Sequence, residues 1–80
     1  MDVATIQKHL DQVNGHVETG ERHLARQKEI IASLSGRDRE MAEAILETFE
    51  QSQSMHLEHQ ESLRTQLARA RKRASEEARR

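Results

Sequence analysis

The chain has 80 residues; 34% are charged, 34% are hydrophobic, and Phe49 is the single aromatic, with no Pro, Cys, Trp or Tyr. That length allows one small domain with a modest core, and the lack of cysteine excludes a disulfide or a thiolate-held metal as reinforcement. The net charge of −1 hides a split: residues 1–63 carry 6 Lys+Arg against 12 Asp+Glu (net −6), and residues 64–80 carry 7 against 2 (net +5).

The first element is a long helix over about residues 3–35. Its apolar residues fall on alternating steps of three and four. Val3, Leu10, Val17, Leu24 and Ile31 take heptad position a; Ile6, Val13, Gly20, Gln27 and Leu34 take position d. Eight of these ten positions are apolar, which is a coiled-coil seam rather than a generic amphipathic stripe. Gly15 and Gly20 interrupt it, each costing roughly 1 kcal/mol against Ala. The heptad passes through both in phase, so one continuous helix with a bend is expected. The alternative is a break at the Asn14-Gly15 turn dipeptide.

A turn is expected at residues 35–38. Gly36 can take the left-handed conformation that ends a helix, and Asp38 or Ser35 can cap the next one. A second helix over about 38–70 follows, with Ala42, Ile45, Phe49, Ser52, His56, His59, Leu63, Gln66 and Ala70 as its seam. Folded back on the first, it faces residues whose numbers add up to about 72 or 73. That register pairs Ile31 with Ala42, Gln27 with Ile45, Leu24 with Phe49 and Gly20 with Ser52. It continues with Val17 by His56, Val13 by His59 and Leu10 by Leu63. The expected fold is all-α: an antiparallel two-helix, coiled-coil-like hairpin in residues 1–70. Residues 71–80 form a basic extension without an apolar face, expected to be frayed or disordered.

Ile30, Met41, Leu46, Met55, Leu57 and Leu67 fall off this seam. Covering them takes a second hairpin or a partner helix, and a four-helix bundle is the simple solution. A homo-oligomer, with a dimer favoured, or a helical protein partner is therefore expected.

Five histidines stand out. His9, His16 and His23 recur every seven residues beside the first seam; His56 and His59 lie in the second. His16, His56 and His59 are the candidate metal ligands. The competing readings are polar seam residues that fix register and an association sensitive to protons, since imidazole ionises near pH 6.5. Arg69, Arg71, Lys72 and Arg73 could neutralise phosphates of nucleic acid, but no aromatic is interleaved to stack on bases. A solvated helix end is the simpler reading. No nucleophile elbow, phosphate-cradling loop or cysteine nucleophile is present, so no enzyme and no cofactor are expected.

The segment Gly20-Glu21-Arg22-His23-Leu24-Ala25-Arg26-Gln27, and Thr48-Phe49-Glu50 running on through Gln53, His56 and His59, resemble a group of short bacterial helical proteins. Those carry GERHIxRQ and TFExxQxxHxxH segments and have no assigned activity. The likeness covers most of residues 17–63 and implies a small bacterial cytoplasmic protein. It draws attention to Gly20, Arg22, His23, Arg26 and Gln27 against Phe49, Gln53, His56 and His59.

Met1-Asp2-Val3-Ala4-Thr5 lacks the basic and apolar regions of a secretory leader. No apolar stretch approaches the roughly 18 residues of a membrane span, and the absence of cysteine suits a reducing compartment. A cytoplasmic structural or interaction module, acting through helix–helix association, is the function expected.

Overall fold

The computed structural model describes residues 2–79. Two helices, α1 (Val3–Ala32) and α2 (Gly36–Ala78), pack against each other as an all-α antiparallel hairpin of 67 × 14 × 14 Å. No helix among the described residues is long and apolar enough to cross a membrane.

α1 runs unbroken through Gly15 and Gly20. Asp2 caps it from an extended backbone, accepting a 2.8 Å hydrogen bond from the Thr5 N–H. That bond holds the Asp2 carboxyl below its usual range, because it favours the ionised form.

The turn comes earlier than the expected 35–38, at residues 33–35. α1 ends at Ala32, where the Ser33 N–H donates to the Ile30 carbonyl at 3.1 Å and the Leu34 N–H to the Ile31 carbonyl at 3.0 Å. Ser35 is extended and occupies the N-cap position of α2 without a side-chain bond. Gly36 is left-handed at φ 60°, but it opens α2 instead of closing α1. Asp38 does not cap; it sits in the first turn of α2, where a carboxylate favours the free N–H groups.

Residues 71–78 are helical, contrary to the expected fraying after Ala70. Arg, Lys, Ala and Glu are good helix formers, and Lys72/Glu76 and Arg73/Glu77 have the spacing of opposite charges on one helix face. This segment projects beyond the start of α1, and all of it is exposed.

The tightest packing lies at the open end of the hairpin. Ile6, Leu10, Val13, Leu63, Leu67 and Ala70 form one buried cluster, with Val3 against it. Towards the turn the core thins. Ile31 and Ala42 are buried there, whereas Leu24, Leu34, Leu46 and Phe49 are only half-buried.

Candidate association face

The α1 seam stands where the heptads place it. Ile6, Leu10, Val13, Val17, Gln27 and Ile31 are buried, and Val3, Gly20, Leu24 and Leu34 are half-buried. The register holds as well: His16 stacks on His56 and His23 tilts against Phe49, at ring-centroid distances of 5.2 and 5.6 Å.

On α2 half of the expected seam is displaced by one residue. Ala42, Phe49, His56, Leu63 and Ala70 face α1 as expected. Ile45, Ser52 and His59 do not; they are exposed, and Gln66 is half-buried. Leu46, Gln53, Gln60 and Leu67 take their places. The physical reason is reach and apolarity. Leu67 joins Ile6 and Leu10 in the core, where Gln66 would bury an amide without a partner. Gln53 is long enough to cross the interface and donate to the Val17 carbonyl at 3.0 Å, which Ser52 is not. Gln60 likewise donates to Asn14 Oδ1 at 2.8 Å.

The buried glutamines act reciprocally. Gln27 of α1 donates to the Ala42 carbonyl of α2 at 2.8 Å, and Gln53 of α2 donates to the Val17 carbonyl of α1. Each ties one helix to the backbone of the other, which fixes register as polar seam residues do. The Gln53 carboxamide rests where a Cβ at position 20 would stand, so Gly20 is the hole that admits it. Gln53 Oε1 and His56 Nδ1 are buried without a hydrogen-bond partner among the described residues.

The one-residue displacement turns a column of α2 outward and completes a distinct face. A depression of about 230 Å³ is lined by His16, Thr19, Gly20, His23, Phe49, Ser52, Gln53 and His56. A second, of about 410 Å³, follows it along the hairpin between His9, Gln12, Val13, His16, His56 and His59. Met55 joins the same side beside Ser52 and His59. Seven-residue steps extend the face to Ile30 from His23, to Ile45 from Ser52 and, in two steps, to Met41 from Met55. All five histidines lie here, and so do four exposed large apolar residues: Ile30, Met41, Ile45 and Met55. Between His9 and Ile30 on α1, and between Met41 and Gln66 on α2, Arg26 is the one formal charge on it.

The opposite face is acidic. By the same periodicity it carries Asp11, Glu18 and Glu21 of α1 and Glu43, Glu47, Glu50 and Glu61 of α2, against the two cations Lys28 and Arg64. Leu57, 46% exposed, is its large apolar residue.

The histidines are adjacent but do not converge as metal ligands. No three His, Asp or Glu side chains among the described residues are arranged to hold an ion. The His16 and His56 rings lie within 16° of parallel, so their in-plane nitrogens do not aim at one point, and His59 is an exposed neighbour on the rim of the same depression. The candidate set His16, His56 and His59 is thus a stacked pair and a neighbour.

The basic residues are spread around α2. Arg69, Lys72 and Arg73 line a depression of about 490 Å³ with Ile6, Gln66 and Glu76. Arg71 lies on the other side, donating to Gln7 Oε1 at 3.3 Å. Arg22 and Arg26, singled out by the resemblance, are exposed, and Arg22 donates to Thr19 Oγ1 at 3.3 Å.

Compared with models of protein families, with curated proteins and with solved structures, the chain matches none.

Proposed function

We propose that this hairpin is a small non-catalytic interaction module that works by helix–helix association through its histidine-lined face. One observation carries the reading. In a chain that is 34% charged, one side bears a single formal charge from His9 to Ile30 and from Met41 to Gln66, together with four exposed large apolar residues. Charged residues are depleted at the cores of protein interfaces, and Met is enriched there. A contiguous apolar patch rimmed by polar residues marks an interaction site.

The face is long, shallow and built on two rigid helices, a shape that accepts another helix along its length. The reciprocal glutamines hold the two helices in register, and so keep the face in one arrangement. The acidic side supplies solubility and discourages association in other orientations.

Peroxide footprinting tests the reading whatever the partner is. Met41 and Met55 are 63% and 69% exposed in the single hairpin. Both should oxidise more slowly in the cells that make the protein than in the purified chain diluted until it runs as a single hairpin. Equal rates in the two settings would mean a bare face, and the reading would fall.

A further inference from the structure

We infer that a second copy of this chain occupies the histidine-lined face, two hairpins packing as a four-helix bundle. This inference rests on the association reading and adds the occupant to it.

Charge permits a copy on this face and disfavours one on the other. In a two-fold dimer the same patch meets itself, residue i on residue j and j on i, so a patch with an excess of one sign is set against its own sign and disfavoured. A self-complementary surface therefore needs balanced charge or almost none. The histidine-lined face meets that condition, with Arg26 its one formal charge between His9 and Ile30 and between Met41 and Gln66. The opposite side, where Glu18, Glu43, Glu47 and Glu50 outnumber Lys28 and Arg64, would set an acidic excess against itself.

Area agrees. The face runs from His9 to Ile30 on α1, about 33 Å at about 1.5 Å per residue. Two helices side by side are about 20 Å wide. The footprint of about 660 Å² falls within the roughly 600–1,000 Å² per partner of standard stable interfaces.

The packing defect points the same way. The buried cluster occupies the open end of the hairpin. Near the turn Leu46 and Phe49 are half-buried, and Ile30, Met41 and Ile45 are exposed beside them. Two helices cannot enclose those side chains; four can. A second copy supplies at that end the core that one hairpin lacks.

Light scattering behind a sizing column, on the purified full chain from micromolar to millimolar, reads the answer. The expected mass is twice the 9.2 kDa of one chain. Ile45→Glu and Met55→Glu should each halve it while helix content stays, because both side chains are exposed in the hairpin and form no part of its core. Leu57→Glu, on the acidic face, should leave the doubled mass. A single-chain mass throughout overturns the inference. So does a doubled mass that Leu57→Glu abolishes and Ile45→Glu leaves intact. A single-chain mass with Met41 and Met55 still protected in cells removes the second copy and keeps the association reading; with both methionines unprotected, the two fall together.

Discussion

The carboxamide of Gln53 lies across the α1 backbone at Gly20, in the space a methyl group there would fill. The same side chain donates to the Val17 carbonyl, so the glycine and the hydrogen bond are one feature. Gly20→Ala gains about 1 kcal/mol of helix propensity. It also displaces the amide, losing a bond worth about 1 kcal/mol and stranding a buried polar group at a further cost of about 1–3 kcal/mol. The variant should be less stable than the parent by about 1 kcal/mol or more in urea unfolding. In a Gln53→Ala background the same change should stabilise. Stabilisation in both backgrounds would show that the two residues are not coupled.

The other two glycines predict opposite outcomes. Nothing stands within 4 Å of a Cβ at Gly15, whereas Gly36 has a φ of 60°. Gly15→Ala should raise stability by about 1 kcal/mol through helix propensity. Gly36→Ala should lower it by about 1 kcal/mol, the strain of a left-handed non-glycine residue. Thermal unfolding of the two variants side by side checks both signs.

The register of α2 has its own test. Leu67 is 5% exposed within the main cluster, so Leu67→Ala should cost about 2–5 kcal/mol. Gln66→Ala, one residue away, should change stability by less than about 0.5 kcal/mol. Similar losses at the two positions would restore the seam expected from the heptads.

Acid should loosen the start of α1. The Asp2 carboxyl is held below its usual range by the Thr5 N–H. A depressed folded-state value means the stabilisation is present while the carboxyl is ionised in both states, and is lost as the pH falls through the folded value. The Thr5 amide should therefore lose protection from hydrogen exchange at acid pH. In Asp2→Ala that acid-dependent loss should disappear, because protection is low throughout.

How far the sequence reveals these features differs by element. The α1 seam is legible because a and d positions are filled with Val, Leu and Ile, which leaves one phase for burial. The pairing of His16 with position 56 follows from the turn alone. α2 is ambiguous because both columns beside Ala42, Phe49, His56 and Leu63 mix apolar and polar residues. Ile45, Ser52, His59 and Gln66 compete there with Leu46, Gln53, Gln60 and Leu67. Counting apolar residues favours the second column, with two Leu against one Ile. What periodicity does not carry is that a glutamine can be a seam residue when a glycine opposite makes room and a helix carbonyl accepts its proton. The same ambiguity hides the histidine-lined face, since the heptads assign half of its α2 column to the interior.

Association through the histidine-lined side requires that this side, and not the acidic one, be covered when the protein is at work. The chain has no cysteine, so a single introduced thiol reports one location. Ser52 and Ser54 are both exposed in the hairpin; Ser52 lies on the histidine-lined face, and Ser54 turns towards the acidic one. The direct measurement is the maleimide labelling rate of Ser52→Cys and of Ser54→Cys, each in cells and as purified protein diluted to the single hairpin. The account predicts similar rates for the two dilute thiols, with Ser52→Cys alone slowed in cells. Equal rates in cells, or slowing of Ser54→Cys alone, would contradict it.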